Sequence, residues 1–185
     1  MKKVMIADDS RPMVNMLRYL LESGGYSVTS AQDGDEALMK LRGSRYDALV
    51  TDLAMPKMNG IELIRNIRLK DKYLPIVVLS AMETIDTAVE AMREGADDFV
   101  RKSTEDLGKT LRFVLERTME RKKEERRLDI YESILPICMH CKKIHHKPDD
   151  GNETWVTIEE YFDYKRSGID FSHGICPECL KKYYS

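Results

Sequence analysis

Short apolar runs alternate with amphipathic stretches through residues 1–104. Val4-Met5-Ile6-Ala7 reads as a buried strand and ends abruptly in Asp8-Asp9. From Ser10 to Leu21 the apolar positions Met13, Met16, Leu17, Leu20 and Leu21 fall at helical spacing, and Gly24-Gly25 stops the helix. Tyr26 to Ala31 is a short β-prone run. Asp33 to Leu41 is helical, with Ala37, Leu38 and Leu41 on one face. Ala48-Leu49-Val50 leads into Thr51-Asp52 as a third strand, and Pro56 and Gly60 punctuate the loop after it. Ile61 to Leu69 is helical. Ile76 to Leu79 forms a strand ending at Ser80, Thr84 to Glu94 a helix stopped by Gly95, and Asp98-Phe99-Val100 a fifth strand ending at Lys102. The pattern predicts (βα)5: an α/β fold with right-handed crossovers and a parallel sheet covered on both faces. It does not set the order of the strands.

Residues 105–134 change character. Leu107, Leu111, Val114, Leu115 and Met119 make one apolar stripe, and then Glu120 to Arg127 has no apolar residue. Eight basic and eight acidic residues share the segment, with no proline or glycine between Gly108 and Pro136. One helix on the order of 40 Å long is expected. Arg121–Glu125 has i,i+4 spacing, and Glu120–Lys123 and Glu124–Arg127 have i,i+3, as in a solvated helix laced with ion pairs. A dimer seam is the competing reading, although the heptad breaks across residues 120–127. The divisions expected are 1–115, a helical connector over 116–135, and a small C-terminal module over 136–185.

Composition narrows the function. Apolar residues make up 42% of the 185, enough for a real core. With 30 basic against 32 acidic residues, the chain has no global pull toward nucleic acid or an anionic membrane. No apolar run approaches the ~18 residues that span a bilayer, and the N-terminal apolar run is too short for a signal segment. A cytosolic setting is expected, in which four cysteines clustered as two CxxC pairs point to metal or redox chemistry.

The chemistry gathers at the strand ends. Ligands of an open parallel sheet bind outside the carboxyl ends of its strands, where Asp8, Asp9, Asp52, Ser80 and Lys102 fall. Three carboxylates forced together repel unless a cation joins them. Hard oxygen ligands with retained water suit Mg²⁺. A lysine and a hydroxyl opposite them suit an anion. Phosphoryl transfer to a carboxylate uses all of these. Taken singly, the same residues read as helix caps, a turn residue, a buried serine and a surface lysine; structural capping does not demand their combination at one rim.

Ile6-Ala7-Asp8-Asp9, Val50 to Gly60, Val78-Leu79-Ser80-Ala81 and Phe99-Val100-Arg101-Lys102 resemble the receiver domain of bacterial two-component response regulators over about residues 1–115. The resemblance implies a flavodoxin-like sheet of order 2-1-3-4-5 and a phosphoacceptor at Asp52. It implies Mg²⁺ held by Asp8, Asp9, Asp52 and the carbonyl of Ala54. Ser80 would bond a phosphoryl oxygen, Lys102 would pair with the phosphoryl charge, and Phe99 matches an aromatic switch position. A histidine kinase or phosphotransfer protein would donate the phosphate, and the chain would be no enzyme beyond its own phosphorylation and dephosphorylation. Ser103 departs from the family, which usually has a cis proline there; a cis bond to serine would cost ~3–4 kcal/mol, so a trans or strained loop is expected. Ala54 and Met82 occupy positions flanking the phosphoryl group and cannot orient an attacking water, so a long-lived aspartyl phosphate is expected.

Cys138-x2-Cys141 and Cys176-x2-Cys179 lie 34 residues apart. Two such knuckles can close a tetrahedral four-sulfur site, which suits structural zinc and would staple a module of about 50 residues that rarely folds unaided. A thiol redox switch and plain free cysteines are the alternatives. His140, His145, His146 and His173 are substitute ligands, with His145-His146 expected on a solvated loop with Pro148 to Gly151. Trp155, Val156, Ile158, Tyr161, Phe162 and Tyr164 suggest a small helix or strand packed on the site. The tail is similar to one found after receiver and sensory domains in bacterial signalling proteins, which supports modularity and gives no mechanism. Seven basic and eight acidic residues in 135–185 argue against a nucleic-acid reader, despite Lys142-Lys143 and Lys181-Lys182. The favoured reading is a phosphorylation-controlled adaptor whose zinc module binds an unidentified downstream protein or pairs with its twin. The other is a redox- or metal-responsive regulator, or a zinc-ribbon nucleic-acid binder, gated by the receiver.

Overall fold

The structure, a computed structural model, describes residues 1–81, 85–133, 135–146 and 153–164, with the backbone alone at 85, 86, 131–133 and 164. Met82, Thr84, residues 148–151, His173, Cys176, Cys179 and Lys181-Lys182 lie outside the described residues. Two compact units divide the chain, Met1–Asp129 and Ile130–Ser185.

In the first unit, five parallel strands alternate with five helices. The strands are β1 (Lys3–Ala7), β2 (Ser27–Ala31), β3 (Ala48–Thr51), β4 (Ile76–Ser80) and β5 (Asp98–Arg101). The helices are α1 (Arg11–Glu22), α2 (Gly34–Gly43), α3 (Gly60–Arg68), α4 (Ile85–Arg93) and α5 (Leu107–Ser133). The sheet order is β2-β1-β3-β4-β5, the flavodoxin-like order. Side chains alternate across the sheet, as the two-residue period of a strand requires. Val4 and Ile6 join Leu17, Leu21, Leu111 and Leu115 on one face. Met5 and Ala7 join Leu63, Ile64 and Ile67 on the other. Both faces are therefore dry, which is why the central strands read as unbroken apolar runs.

Local chemistry sets the helix starts. Pro12 sits in the first turn of α1. Asp33 caps α2 by accepting from the Glu36 N–H at 2.8 Å. Asn59 and Glu62 form a reciprocal capping box on α3, with bonds of 2.9 and 3.1 Å.

The first half of α5 buries the predicted stripe Leu107, Leu111, Val114, Leu115 and Met119 in the sheet. Its charged part carries the expected pairs Arg121–Glu125, Glu120–Lys123 and Glu124–Arg127 at 3.8, 3.5 and 3.8 Å. It also grips the base of the sheet. The buried carboxylate of Asp97, just before β5, receives Arg68 at 2.7 Å, Lys122 at 3.1 Å and Arg121 at 3.3 Å, together with the Ile76 N–H at 2.9 Å. Arg117 pairs with Asp98, and Lys72 and Tyr73 both reach Asp129. This polar docking explains why a stretch with no apolar residue lies along the domain.

In the second unit, β6 (Ile144–His146) pairs antiparallel with β7 (Thr154–Val156), and α6 (Ile158–Tyr164) follows. Thr157 and Glu160 cap α6 reciprocally, at 3.3 and 2.7 Å. Here the structure corrects one expectation. His145 and His146 are strand residues opposite Trp155 and Thr154, and no solvated loop carries them. The cause is Ile144, which buries against Val156 and draws its neighbours into the pairing. His145 then lies against Trp155 with ring centroids 4.9 Å apart, and His146 against Tyr161 at 5.3 Å.

Candidate functional site

The register of the sheet assembles the site. Ala7 lies opposite Thr51, so the next residues, Asp8 and Asp52, meet beyond the ends of β1 and β3. The Asp52 N–H donates to Ala7 O at 2.8 Å, continuing the ladder by one step. Ser80 lies opposite Arg101, and the Lys102 N–H donates to Ser80 O at 2.9 Å. β1 and β3 flank the point where the chain reverses its direction across the sheet. That reversal opens a crevice between neighbouring βα loops.

Asp8, Asp9 and Asp52 each place a carboxylate oxygen within 4.8 Å of the others. Asp8 and Asp52 are buried and Asp9 is exposed. The Lys102 ammonium donates to Asp52 Oδ2 at 2.6 Å and to Asp8 Oδ2 at 2.7 Å. Burial pushes that ammonium down, but its bonds to Asp52 and Asp8 more than reverse this, so its pKa is raised. The Lys102–Ser103 bond is trans. A turn closed by Thr104 N–H to Arg101 O at 3.1 Å turns the chain there while Lys102 reaches both carboxylates. The other Asp52 oxygen, Oδ1, accepts from the Leu53 N–H at 2.7 Å, with the Ala54 N–H at 3.4 Å. Ser80 is buried at the end of β4. Phe99, half-buried on β5, packs against the core face shared by α2 and α3.

Two features of this rim were not read from the sequence. Gly60 starts α3 so close to the end of β3 that a Cβ there would lie 2.1 Å from Asp52 O. Lys57, held at φ 60°, clasps Asp33 at 2.6 Å and ties the loop after β3 to the cap of α2. The Asp33 carboxyl is held below its usual range by the bond from Lys57, helped by the Glu36 N–H. Glycine spacing after the Asp52 strand was the available signal for the first. The second joins residues 24 apart with no pattern linking them.

The chain matches the response regulator receiver domain family over residues 4–112. It belongs to that family. The response regulator MprA of Mycobacterium sp. (strain KMS) is 39% identical over 118 residues, covering 63% of this chain and 51% of that protein. MprA of Mycobacterium avium (strain 104) is also 39% identical, covering 63% of this chain and 52% of that protein. The chain thus spans about half the length of the curated relatives it matches. The receiver domain of the Francisella response regulator 1452 superposes with a TM-score of 0.61 at 29% identity, over 65% of this chain and 98% of that one. The chemotaxis response regulator CheY4 of Vibrio cholerae gives 0.59 at 32% identity, over 64% and 98%. Receiver domains use Mg²⁺ at an acidic pocket and interact with histidine kinases or phosphotransfer proteins. They are not enzymes apart from their own phosphorylation and dephosphorylation. No described helix is long and apolar enough to cross a membrane.

The cysteine region lies beyond the matched receiver. Cys138 and Cys141 sit in a tight turn between Ile137 and Ile144, which bridge as antiparallel partners. The Cys138 N–H donates to Lys143 O at 2.8 Å and the Lys142 N–H to Cys138 O at 3.0 Å, with Lys142 at φ 61°. The amide of Cys141 and then that of His140 point at the Cys138 sulfur, and its pKa is lowered. A turn that aims N–H groups at sulfur favours the thiolate, the form that binds metal.

Proposed function

We propose that this receiver accepts a phosphoryl group on Asp52 from a histidine kinase or phosphotransfer protein and passes the change through α5 to a zinc-held C-terminal module. The observation that carries the reading is Lys102 bridging Asp8 and Asp52 beside Asp9. The donor set fits the metal: three carboxylates at one rim carry more negative charge than one lysine balances, and hard oxygens suit Mg²⁺. Asp8, Asp9, Asp52 and the carbonyl of Ala54 would hold it, and when bound it would neutralise charge on the phosphoryl oxygens. Asp52 attacks phosphorus, a P–O bond forms, and the P–N bond to the donor imidazole breaks. Lys102 then faces the transferred charge and Ser80 supplies a hydroxyl to a phosphoryl oxygen. Phe99 is the residue that follows Ser80 inward.

Residues 1–115 are the receiver, 116–135 the connector and 136–185 the module. Cys138 and Cys141 supply one pair of thiolates, and Cys176 and Cys179 are the other pair. The output is binding to a protein, or to a second copy along the last helix. Incubation with acetyl phosphate, with and without Mg²⁺, followed by intact-mass measurement tests the receiver half. One Mg²⁺-dependent phosphoryl adduct, lost in Asp52→Asn, is expected; an adduct that survives the substitution overturns the assignment. Metal content and thiol titration test the module. One zinc per chain, with four thiols released only on chelation, is expected.

A second reading rests on the lowered Cys138 thiol. A metal-free thiol pair of this kind would make the module a redox sensor gated by the receiver. Response to oxidant in an Asp52→Ala chain would favour it.

A further inference from the structure

At the N-terminal ends of β3 and β4, opposite the Asp52 rim, a cleft of about 350 Å³ opens between α2, α3 and α5. That volume is in the range of small-molecule sites, roughly 300–1,000 Å³. Its floor is apolar, with Leu41 and Tyr46 half-buried over the buried Ile67 and Leu74. Its rim is cationic: Arg42 and Arg45 from the end of α2, Lys70 after α3, and Arg126 from α5.

The cations next to the cleft on the same helices are matched. Arg65 takes Glu94, Lys40 takes Glu36 and Arg68 takes Asp97. Among the described residues, none of the four rim cations has a carboxylate oxygen within 4.0 Å, although the chain as a whole is net negative at −2. Arg126 lies over the Tyr73 ring at 5.8 Å instead. The one acid lining the cleft, Asp71, already accepts the Tyr73 and Leu74 N–H groups through Oδ1 at 2.8 and 3.0 Å.

We infer that this cleft is a ligand site, distinct from the phosphoryl pocket, for a small amphipathic anion. The ligand has an aromatic or branched apolar body that covers Leu41, Ile67 and Leu74. Its carboxylate, phosphate or sulfonate is taken by the arginines. The cleft volume suits one compact body. The unmatched rim selects its charge, because an anion there gains four cations and meets one acid that is already engaged. Arg126 belongs to the helix that leaves the receiver, so the ligand ties that helix to α2 and α3.

The probe is 1-anilinonaphthalene-8-sulfonate, added to the full chain, with the uncharged N-phenyl-1-naphthylamine as the control that keeps the body and removes the anion. Expected are one saturable site, weakening with salt, and amide shifts centred on Leu41, Ile67 and Leu74. Arg45→Glu with Lys70→Glu should lower sulfonate affinity at least tenfold and leave the neutral probe unchanged. Both positions are exposed and follow their helices, so unfolding temperature should hold. Arg42→Gln with Arg126→Gln, a milder pair, should lower affinity severalfold. Equal binding of both probes, undiminished binding by both variants, or shifts centred in residues 130–164 would overturn the site. Displacement by an acidic Glu- and Phe-rich peptide that binds tighter than any small anion would overturn the small-molecule assignment in favour of a protein partner.

Discussion

The ammonium of Lys102 lies 2.6 Å from the carboxylate of Asp52, and it is the same ammonium that lies 2.7 Å from Asp8. One lysine at the end of β5 thus holds together two acids carried by β1 and β3. The three side chains are close to dry, with relative exposures of 12%, 10% and 1% for Lys102, Asp52 and Asp8. Removing the lysine leaves two buried carboxylates facing each other. Breaking a buried pair costs about 3–5 kcal/mol. Lys102→Ala should fall at the low end, because a carboxyl can take up a proton. Urea unfolding with and without Mg²⁺ checks this. The variant should recover more stability from Mg²⁺ than the native chain does; equal gains would count against the carboxylates as its site.

Gly60 and Gly43 make a matched pair. A Cβ at Gly60 would press on the backbone of Asp52 itself, whereas a Cβ at Gly43 meets nothing within 4 Å. Overpacking typically costs ~1–3 kcal/mol, so Gly60→Ala should destabilise by that order and slow acetyl phosphate labelling of Asp52. Gly43→Ala, in the last turn of α2, should be neutral or stabilising by up to ~1 kcal/mol. Denaturant midpoints and initial labelling rates read both effects. Normal labelling in Gly60→Ala would show that the close approach does not position the phosphoacceptor.

Asp97 and Glu94 separate a buried hub from a surface pair. Asp97→Ala leaves the buried Ile76 N–H without its acceptor and strips Arg68, Arg121 and Lys122 of their shared carboxylate, leaving Arg68 on the Gly95, Asp71 and Leu74 carbonyls and the other two on Glu125. It should cost about 3–5 kcal/mol and raise hydrogen exchange through residues 117–129 of α5. Arg65→Ala breaks only the exposed bond to Glu94, and should cost no more than ~1 kcal/mol. Similar costs for the two would remove Asp97 as the anchor of the helix.

The strand ends were legible because chemistry and period coincide there. Val4–Ala7 is apolar to its last residue and Ala48–Val50 leads through Thr51 into Asp52, so Asp8 and Asp52 stand out at the rim. Strand order was not in the periodicity; it entered with the resemblance carried by the motifs around Asp8, Asp52, Ser80 and Lys102. The Asp97 hub was invisible because its partners come from α3 and α5, far apart in sequence, and because Arg121 and Lys122 look like solvated charges in a charged run. His145 and His146 were misjudged for a related reason. Three-residue strands carry too few positions to show a period, and only the cross-strand burial of Ile144 on Val156 reveals the pairing.

The clasp between Lys57 and Asp33 sets an acid limb. The bond from Lys57 holds the Asp33 carboxyl below its usual value, so the folded state binds this proton less tightly than the unfolded chain. The stabilisation is therefore complete above about pH 4, where the unfolded carboxyl ionises, and is lost as pH falls through the lower folded value. Lys57→Ala should be less stable than the native chain at neutral pH, and the gap should close on acidification. Chemical unfolding across pH 3 to 7 measures it. A gap that stays constant into acid would place the effect in the left-handed backbone at Lys57 rather than in the ion pair.

Ala54 bears on how long the signal lasts. Its N–H lies 3.4 Å from Asp52 Oδ1, but its methyl group has nothing with which to hold a water in line with the phosphoryl group. Hydrolysis of an aspartyl phosphate needs such a water, and a group that positions or deprotonates it accelerates the step; full general-base catalysis contributes roughly 10²–10⁴-fold. The native chain lacks that help from Ala54, so its phosphorylated form should persist for minutes or longer at room temperature. Ala54→Asn adds an amide able to hold the water without deprotonating it, so the lifetime should shorten severalfold and stay well short of the general-base limit. Phosphate release after removal of acetyl phosphate measures both. A native half-life of seconds would mean that another group of the pocket supplies the water, and Ala54→Asn would then leave the rate unchanged.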